Sequence, residues 1–482
     1  MRIGLSGNAA SAGRGRAAAA ARAVTSVRRL SLCIIGSSLL FSADFILPQP
    51  IQACACAQGC YLARRLAVDL TLHRQSPGPP SLPLRRWPLH VTHSNQATGP
   101  LDGFVVLDLS RVLSGPYCTM MLCDLGARVI KVEQPGSGDE ARHFLPMASD
   151  GTSAYFAAIN RGKQSIALDL KAKEDRVIFE RLLARADVLV ENYRPGVLDR
   201  LGYGWEKIRS QHPGLVLASI SGFGQTGPYR DRAAYDVVVQ AMSGMMSITG
   251  HPDGDPTRAG SSIGDLGAAL FACNGIQAAL LRRSRTGLGG HVDVSMFEAQ
   301  IAMLEGAIPQ LWCTGQSPKP LGARHPGAAP FDAFRAADGH LVIAAGSDHL
   351  FARLAAVLQL PSLPNDPRFA QRGLRVVNHA ELKISIEVAL ASAPVAHWLV
   401  RLEEAGVPAG PLNDVATMMA DPQVSSRGVL PEIDGGGGQR APVTPILMSG
   451  HAYPDRLGRV PELDQDREAI LRFAEGSSEQ IA

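Results

Sequence analysis

Residue types able to do chemistry cluster at a few points in this 482-residue chain. Ser262-Ile-Gly264-Asp265-Leu-Gly267 places one carboxylate between glycines at the head of a strongly apolar run, Leu266 to Leu281, that reads as a helix. An Asp there can act as an N-cap, accepting hydrogen bonds from the free N–H groups of the first turn. The same N–H groups and small neighbours would also keep a carboxylate low in pKa, unhindered and open to a bulky acyl group, which suits a nucleophile. On composition alone the cap is the simpler role. Gly222-Phe-Gly224-Gln-Thr-Gly227 follows a predicted strand and formally matches the dinucleotide fingerprint. That fingerprint needs a helix opening at once beneath the pyrophosphate, and Pro228 with the charged loop Arg230 to Arg232 delays one, so it reads as a plain glycine-rich loop and not as an NAD site. Cys118, Cys123, Cys273 and Cys313 are scattered and read as buried thiols in a reducing compartment. Cys54, Cys56 and Cys60 lie closer together but lack a second Cys or His cluster to complete a zinc site, so no metal is expected.

The elements that must position these residues begin at Leu101, where short β-branched runs alternate with helical ones, the pattern of a parallel sheet covered on both faces. Strands are predicted at Phe104 to Leu109, Val129 to Glu133, Ser165 to Leu170, Val188 to Asn192 and Leu215 to Ser221. Helices fill Tyr117 to Leu125, Glu174 to Ala186 and Trp205 to Ser210, giving a doubly wound α/β unit of Rossmann type over 101–223. A helix at Tyr235 to Met246, a Gly/Asp/Pro loop at Thr249 to Gly264 and the helix from Leu266 to about Arg283 follow. Pro318 to Pro330 is a connector, and Asp338-Gly339 turns into a strand at His340 to Ala345 that opens a smaller α/β unit with helices at Leu350 to Leu358, Leu382 to Leu390 and Val395 to Glu404. Gly435 to Gly438 reads as a hairpin tip. The expected division is an N-terminal extension over 1–98, a large domain over 101–317, a smaller domain over 318–425 and a C-terminal segment, 426–482, returning to the large domain.

With 46% hydrophobic and 19% charged residues the chain is neither disordered nor collagenous nor membrane-embedded. Its net charge of +3 hides a split: residues 1–100 hold eleven Arg, no Lys and only Asp44 and Asp69, which leaves the body mildly acidic and a poor nucleic-acid binder. The apolar run Leu30 to Ala43 is too short to span a bilayer, which takes about 20 residues. The first hundred residues read as sequence translated from a start set too early, as an organelle transit peptide or as a secretory signal. Each reading keeps them out of the fold. The expected compartment is the cytoplasm, or the mitochondrial matrix if a transit peptide is present.

The body carries Leu107-Asp108-Leu109-Ser110, Leu113-Ser114-Gly115-Pro116, Gly126 to Glu133, Gly138-Asp139 with Arg142, and Asn160-Arg-Gly-Lys163. It continues through Val190-Glu191-Asn192-Tyr193-Arg194-Pro195-Gly196, Ser221 to Tyr229 and Tyr235-Asp236. In order and spacing, from about Leu101 to at least Leu430, these motifs resemble the class III CoA-transferase family. Gly264-Asp265-Leu266 falls where that family keeps its catalytic aspartate. The resemblance implies a Rossmann-type large domain, a smaller α/β domain and a homodimer of interlocked chains. It implies transfer of coenzyme A from an acyl-CoA to a free carboxylate, with Asp265 as nucleophile and no tightly bound cofactor. The residues matching its CoA site are Ser114, Leu168, Lys171, Asn192, Tyr193, Arg194, Arg200 and, in the stretch Arg232 to Tyr235, Tyr235 itself. Gln134 stands where some members carry a phosphate-binding Arg, and no glycine-rich lid occurs between Leu321 and Val342. The related α-methylacyl-CoA racemases need a His where this chain has Tyr235, a poor proton shuttle at neutral pH, which favours transfer over racemisation. Val112 to Pro116, Ile248 to Gly250 with Gly254-Asp255-Pro256, and Leu374-Arg375-Val376 with Asn378 look most like members that use succinyl-CoA and glutarate. A dicarboxylate acceptor would call for a cation at its distal end, for which Arg258 and Arg324 are the candidates, solvated loop arginines being the plainer reading of each.

Overall fold

The computed structural model describes residues 99–476; the expectations placed on 1–98, including Cys54, Cys56 and Cys60, lie outside the described residues. The central sheet has six strands: β1 (Val105–Asp108), β2 (Arg128–Glu133), β3 (Gln164–Ala167), β4 (Val188–Glu191), β5 (Val216–Ser221) and β6 (Gly290–Ser295). They run in the order β3-β2-β1-β4-β5-β6, every neighbouring pair parallel. This is the doubly wound α/β fold expected from the alternation, with one strand more: β6 was not predicted, and it pairs beyond β5 with Ile220 opposite Val294.

Strands β1, β4 and β5 read as largely apolar runs because both faces of the sheet are covered, whereas β2 buries Lys131 and Glu133 among its apolar residues. Neighbouring side chains divide between the faces. Val106, Val129, Val190, Ala218 and Ile220 pack with Met120 and Met121 of helix α1 (Ser114–Asp124) and with Ala268, Ala272 and Ile276 of the long helix Ile263–Thr286. Leu107, Ile130, Leu189 and Leu217 pack the other way, onto Phe179 and Leu182. Helix α2 spans Ala154–Asn160, α3 Lys173–Leu183 and α4 Trp205–Gln211. The helix predicted over 235–246 is shorter: α5 is Asp236–Ser243, stopped by Gly244 at φ 93°, a conformation that costs glycine little. Helix α6 starts earlier and ends later than predicted, at Ile263–Thr286, so Gly264 belongs to the helix and not to the preceding loop. Helices α7 (Met296–Ala302) and α8 (Ala307–Thr314) follow β6.

A separate antiparallel sheet is formed by β7 (Phe331–Arg335), β8 (His340–Ala344) and β9 (Ala409–Pro411), so the turn at Asp338-Gly339 joins two strands and does not open the unit. Its core joins Phe334, Leu341 and Ile343 to Phe351, Leu354, Leu382, Ile386, Trp398 and Leu402 of α9 (Asp348–Val357), α10 (His379–Leu390) and α11 (Val395–Glu404). Beyond it, β10 (Glu432–Ile433) and β11 (Arg456–Leu457) pair in parallel, and α12 (Arg467–Glu475) places Ile470 among the side chains on the α3 face of the main sheet. Just before α12, Asp464 and Asp466 accept hydrogen bonds from Ala167 N (2.8 Å) and Ser165 N (2.9 Å) of strand β3.

Candidate active site

A cleft of about 650 Å³ opens at the C-terminal ends of β1 to β4, the crevice where doubly wound sheets take their ligands. Of the predicted binding residues, Leu168, Lys171, Tyr193 and Arg194 line it. Arg111 and His143 line it too, and sequence reasoning did not single out either. Arg111 lies 5.6 Å from the centroid of the Tyr193 ring, and burial pushes that phenol up to about 12 with Arg111 opposing. Leu109, Leu170, Val197 and Leu201 supply apolar wall. Arg200 is exposed at the end of the short turn Val197–Arg200 and does not line the cleft. Tyr235 is 74% exposed at the head of α5 and does not line it either.

The loop from β1 into α1 is fixed from three sides. Asn192, at the end of β4, accepts from Arg111 N (2.8 Å) and donates to Arg111 O (2.7 Å). Asp139 accepts from Val112 N at 3.1 Å, holding a β-branched residue at φ 65°, a strained backbone position. Gly115 is required where it stands, because a Cβ there would run into Ser110. The loop thus delivers Ser114, buried, as the first residue of α1. Its hydroxyl hydrogen-bonds to the Asp265 carboxyl, and Asn192 Nδ2 reaches Ser114 Oγ at 3.4 Å. Ser114, Asn192 and Asp265 are therefore brought together.

Beneath the loop lies a buried charge network. Lys131 Nζ contacts Asp139 Oδ2 at 2.9 Å and donates to Ser110 O at 2.8 Å; Lys163 Nζ contacts Asp108 Oδ2 at 3.0 Å; all four charged side chains are sealed from solvent. Burial pushes the Asp108 carboxyl up, but Lys163 and Lys131, with hydrogen bonds from Ser110 and Thr119, hold it well below the usual carboxylate range. Burial likewise opposes the ionised form of Asp139, and Lys131 and the amides of Ala141 and Val112 bring it below its ordinary value.

Asp265 is the third residue of α6, and the structure corrects two expectations about it. It is not the cap: Ser262 occupies that position, and Gly264 N donates at 2.8 Å to Asp236 Oδ1 on α5. Nor is its carboxyl low in pKa. Burial first and the Asp236 charge second push it up to about 7, against the Ser114 hydrogen bond. Of the donors at the helix start, one is committed to another carboxylate, and desolvation outweighs the dipole. Gly264 keeps the approach close, since a Cβ would meet Gln300 Nε2 and lie 3.0 Å from Asp236 Oδ1. Tyr155 of α2 stands near: burial, followed by Asp265, Asp139 and Asp236, pushes its phenol up to about 12.

Arg258 and Arg324 separate. Arg258 Nη2 lies 3.9 Å from Asp236 Oδ2, which brings this half-exposed cation to the Asp265 neighbourhood. Arg324 lies beside His379 of the smaller sheet's helices, where its charge lowers the His379 pKa after burial has done so. Among the thiols Cys118 and Cys273 are buried as expected, whereas Cys313 is exposed. No group of three or more His, Cys, Asp or Glu side chains suited to a metal occurs among the described residues.

Residues 101–467 match the model of "CoA-transferase family III". The acetyl-CoA:oxalate CoA-transferase of Acetobacter aceti is 48% identical over 78% of this chain and 95% of its own. The succinate–glutarate CoA-transferase of Agrobacterium fabrum is 40% identical over 77% and 95%. A CAIB/BAIF family protein from Brucella suis superposes with a TM-score of 0.70 at 39% identity, covering 78% of this chain and all of that one.

Proposed function

The chain belongs to CoA-transferase family III, an enzyme family acting on acyl-CoA and carboxylates, and on that premise we propose that it passes coenzyme A from an acyl-CoA to a dicarboxylic acid through covalent intermediates on Asp265. The observation that carries this reading is the Ser114 bridge: one buried hydroxyl touches Asp265 while opening the helix beside the cleft. The cleft suits the nucleotide end of coenzyme A, with Arg111, Lys171 and Arg194 for phosphate oxygens and leucines for the base.

Asp265 attacks the thioester carbonyl and coenzyme A leaves as the thiolate, giving a mixed anhydride. The thiolate then attacks the aspartyl carbonyl, expelling the donor's carboxylate and forming an aspartyl thioester. The acceptor carboxylate attacks that thioester, releasing thiolate once more, and the thiolate takes the acyl group from the new anhydride and frees Asp265. Because the thiolate leaves readily, the protein's main tasks are to exclude water and to hold the carboxyl in line.

Arg258 is proposed to meet the far end of a dicarboxylate, a reading supported by its half-exposed position beside Asp236. Succinyl-CoA and a C4 to C6 dicarboxylate such as glutarate are the substrates favoured by the sequence likeness, with oxalate and carnitine poor. The Acetobacter relative supports a second reading, acetyl-CoA with oxalate. A panel of acceptors followed by chromatography of the CoA esters decides between them. Preference for a monocarboxylate would reject both substrate readings without touching the enzyme class.

The functional unit is proposed to be an interlocked homodimer. Support comes from apolar side chains left uncovered along α6 (Leu270, Phe271, Leu281) and α8 (Ile308, Leu311 and Trp312, the last 85% exposed), an arrangement that calls for a covering surface. Sedimentation across a dilution series should show a dimer that persists; a stable monomer would reject the proposal.

A further inference from the structure

Asp236 lies outside the cleft lining and caps a helix other than its own. Both of its oxygens accept hydrogen bonds, Oδ1 from Gly264 N at 2.8 Å and Oδ2 from Gln240 Nε2 at 2.7 Å. The Arg258 guanidinium faces it at 3.9 Å. Each of these neighbours presents N–H groups to the Asp236 carboxylate. Gln240 is itself fully buried and pinned through Oε1 to Ala259 N at 2.9 Å, so Asp236 is held in place from α5 and from the loop ahead of α6. Next along the chain from the amide it holds is Asp265.

Two carboxylates forced into one poorly solvated site disfavour each other's charged form. The proposed reaction removes one of those charges, because the carboxylate of Asp265 becomes a neutral thioester. We propose that Asp236 is a positioning residue for acylation of Asp265: by holding the Gly264 amide and keeping a fixed negative charge beside the free carboxylate, it shifts the enzyme toward its acylated intermediates. This rests on the reading of Asp265 as nucleophile. In the overall exchange, free enzyme and acyl-CoA give the aspartyl-CoA thioester and the donor's carboxylate, so charge is conserved and moves from the buried site to solvent. The groups facing Asp265 are Asp236 from α5, Arg258 through Asp236, Tyr155 from α2 and the Ser114 hydroxyl from α1. Among them Asp236 supplies the like charge that opposes ionisation of Asp265. A carboxylate kept unstable in this way is also the more basic, and so the better, nucleophile once ionised.

The interaction that opposes ionisation of Asp265 favours its acylation by the same factor, and this yields a quantitative test. Asp236→Asn keeps an oxygen for the Gly264 amide and loses the charge. The acidic limb of the kcat/KM profile should move to lower pH by about one unit, and the ratio of thioester to free enzyme should fall by about tenfold, one pKa unit being a factor of ten. That ratio is read by intact-protein mass spectrometry at pH 8.5, at a fixed ratio of succinyl-CoA to succinate. Gln240→Leu removes a hydrogen bond that stabilises the Asp236 charge and should move the limb the other way. It decides the question if the asparagine variant melts below the assay temperature. Asp236→Glu, which retains the charge, should keep the limb near its original position. A purely structural role would lower kcat without moving the limb or the ratio, and that result would overturn the proposal. An adduct on Asp265 with the same ratio and the same limb in every variant removes only the role of Asp236. An adduct on another residue overturns the reading of Asp265 as well.

Discussion

Asp265→Ala is expected to abolish transfer, with a loss on the order of 10⁴-fold or more, while coenzyme A still binds. The two effects separate because the cleft residues Arg111, Lys171, Tyr193 and Arg194 belong to the β1, β3 and β4 side of the sheet, whereas Asp265 enters from the head of α6. Orientation by the remaining site cannot substitute for the missing bond, since every intermediate in the proposed sequence is a thioester or anhydride of this one carboxyl. Hydroxylamine added during turnover should convert the wild-type thioester into a hydroxamate on the peptide carrying Asp265. Equilibrium dialysis of the alanine variant with coenzyme A supplies the control. Substantial residual turnover, or a hydroxamate on a different peptide, would remove Asp265 from the reaction.

Lys131→Met should produce the largest loss of stability of any single change near the site, about 3–5 kcal/mol, the usual cost of stranding one member of a buried ion pair. Lys131 is fully enclosed and contacts Asp139 at 2.9 Å and the Ser110 carbonyl at 2.8 Å, and both partners would be left without it. The damage should reach binding as well, because Asp139 also holds Val112 N and with it the loop that presents Arg111 and Ser114. Urea denaturation and coenzyme A affinity measured on the same samples test both effects. Replacing Asp139 by Leu in the Lys131→Met background should recover part of the stability and none of the affinity. Asp139 is held below its ordinary value, so its contribution is present above about pH 4 and is lost as the pH falls through the depressed value. In the methionine variant that acid-dependent loss should shrink. A methionine variant as stable as the parent would mean that the network is not fully formed.

The strands of the main sheet were legible because a strand buried on both faces must be apolar throughout, and Val105 to Asp108, Val188 to Glu191 and Val216 to Ser221 announce themselves that way. Strand β6 was missed because His291 and Asp293 interrupt the apolar pattern at the sheet's edge, where one side needs no partner strand. Asp265 was legible from its glycines and from the family's motif order. Its ionisation was not, because the local argument counted the first-turn amides and could not see Asp236 arriving from 28 residues away to take one of them. For the same reason Arg111 and His143 escaped notice: a cleft at the strand ends collects side chains from several loops, and membership depends on how the loops turn. Arg200 and Tyr235, placed by resemblance alone, sit on exposed surface outside the cleft.

Strand β3 forms one edge of the six-stranded sheet, and an unpaired edge is a template onto which another chain can add. Here the amides of Ser165 and Ala167 are already occupied by the carboxylates of Asp466 and Asp464, two negative side chains laid along the open flank. Those carboxylates come about 300 residues after the strand they protect. During synthesis the sheet's other partners are all made by Ser295, yet its vulnerable margin stays uncovered until nearly the whole chain has left the ribosome. The final segment is in this sense an inbuilt guard against misassembly, one that takes up its post last.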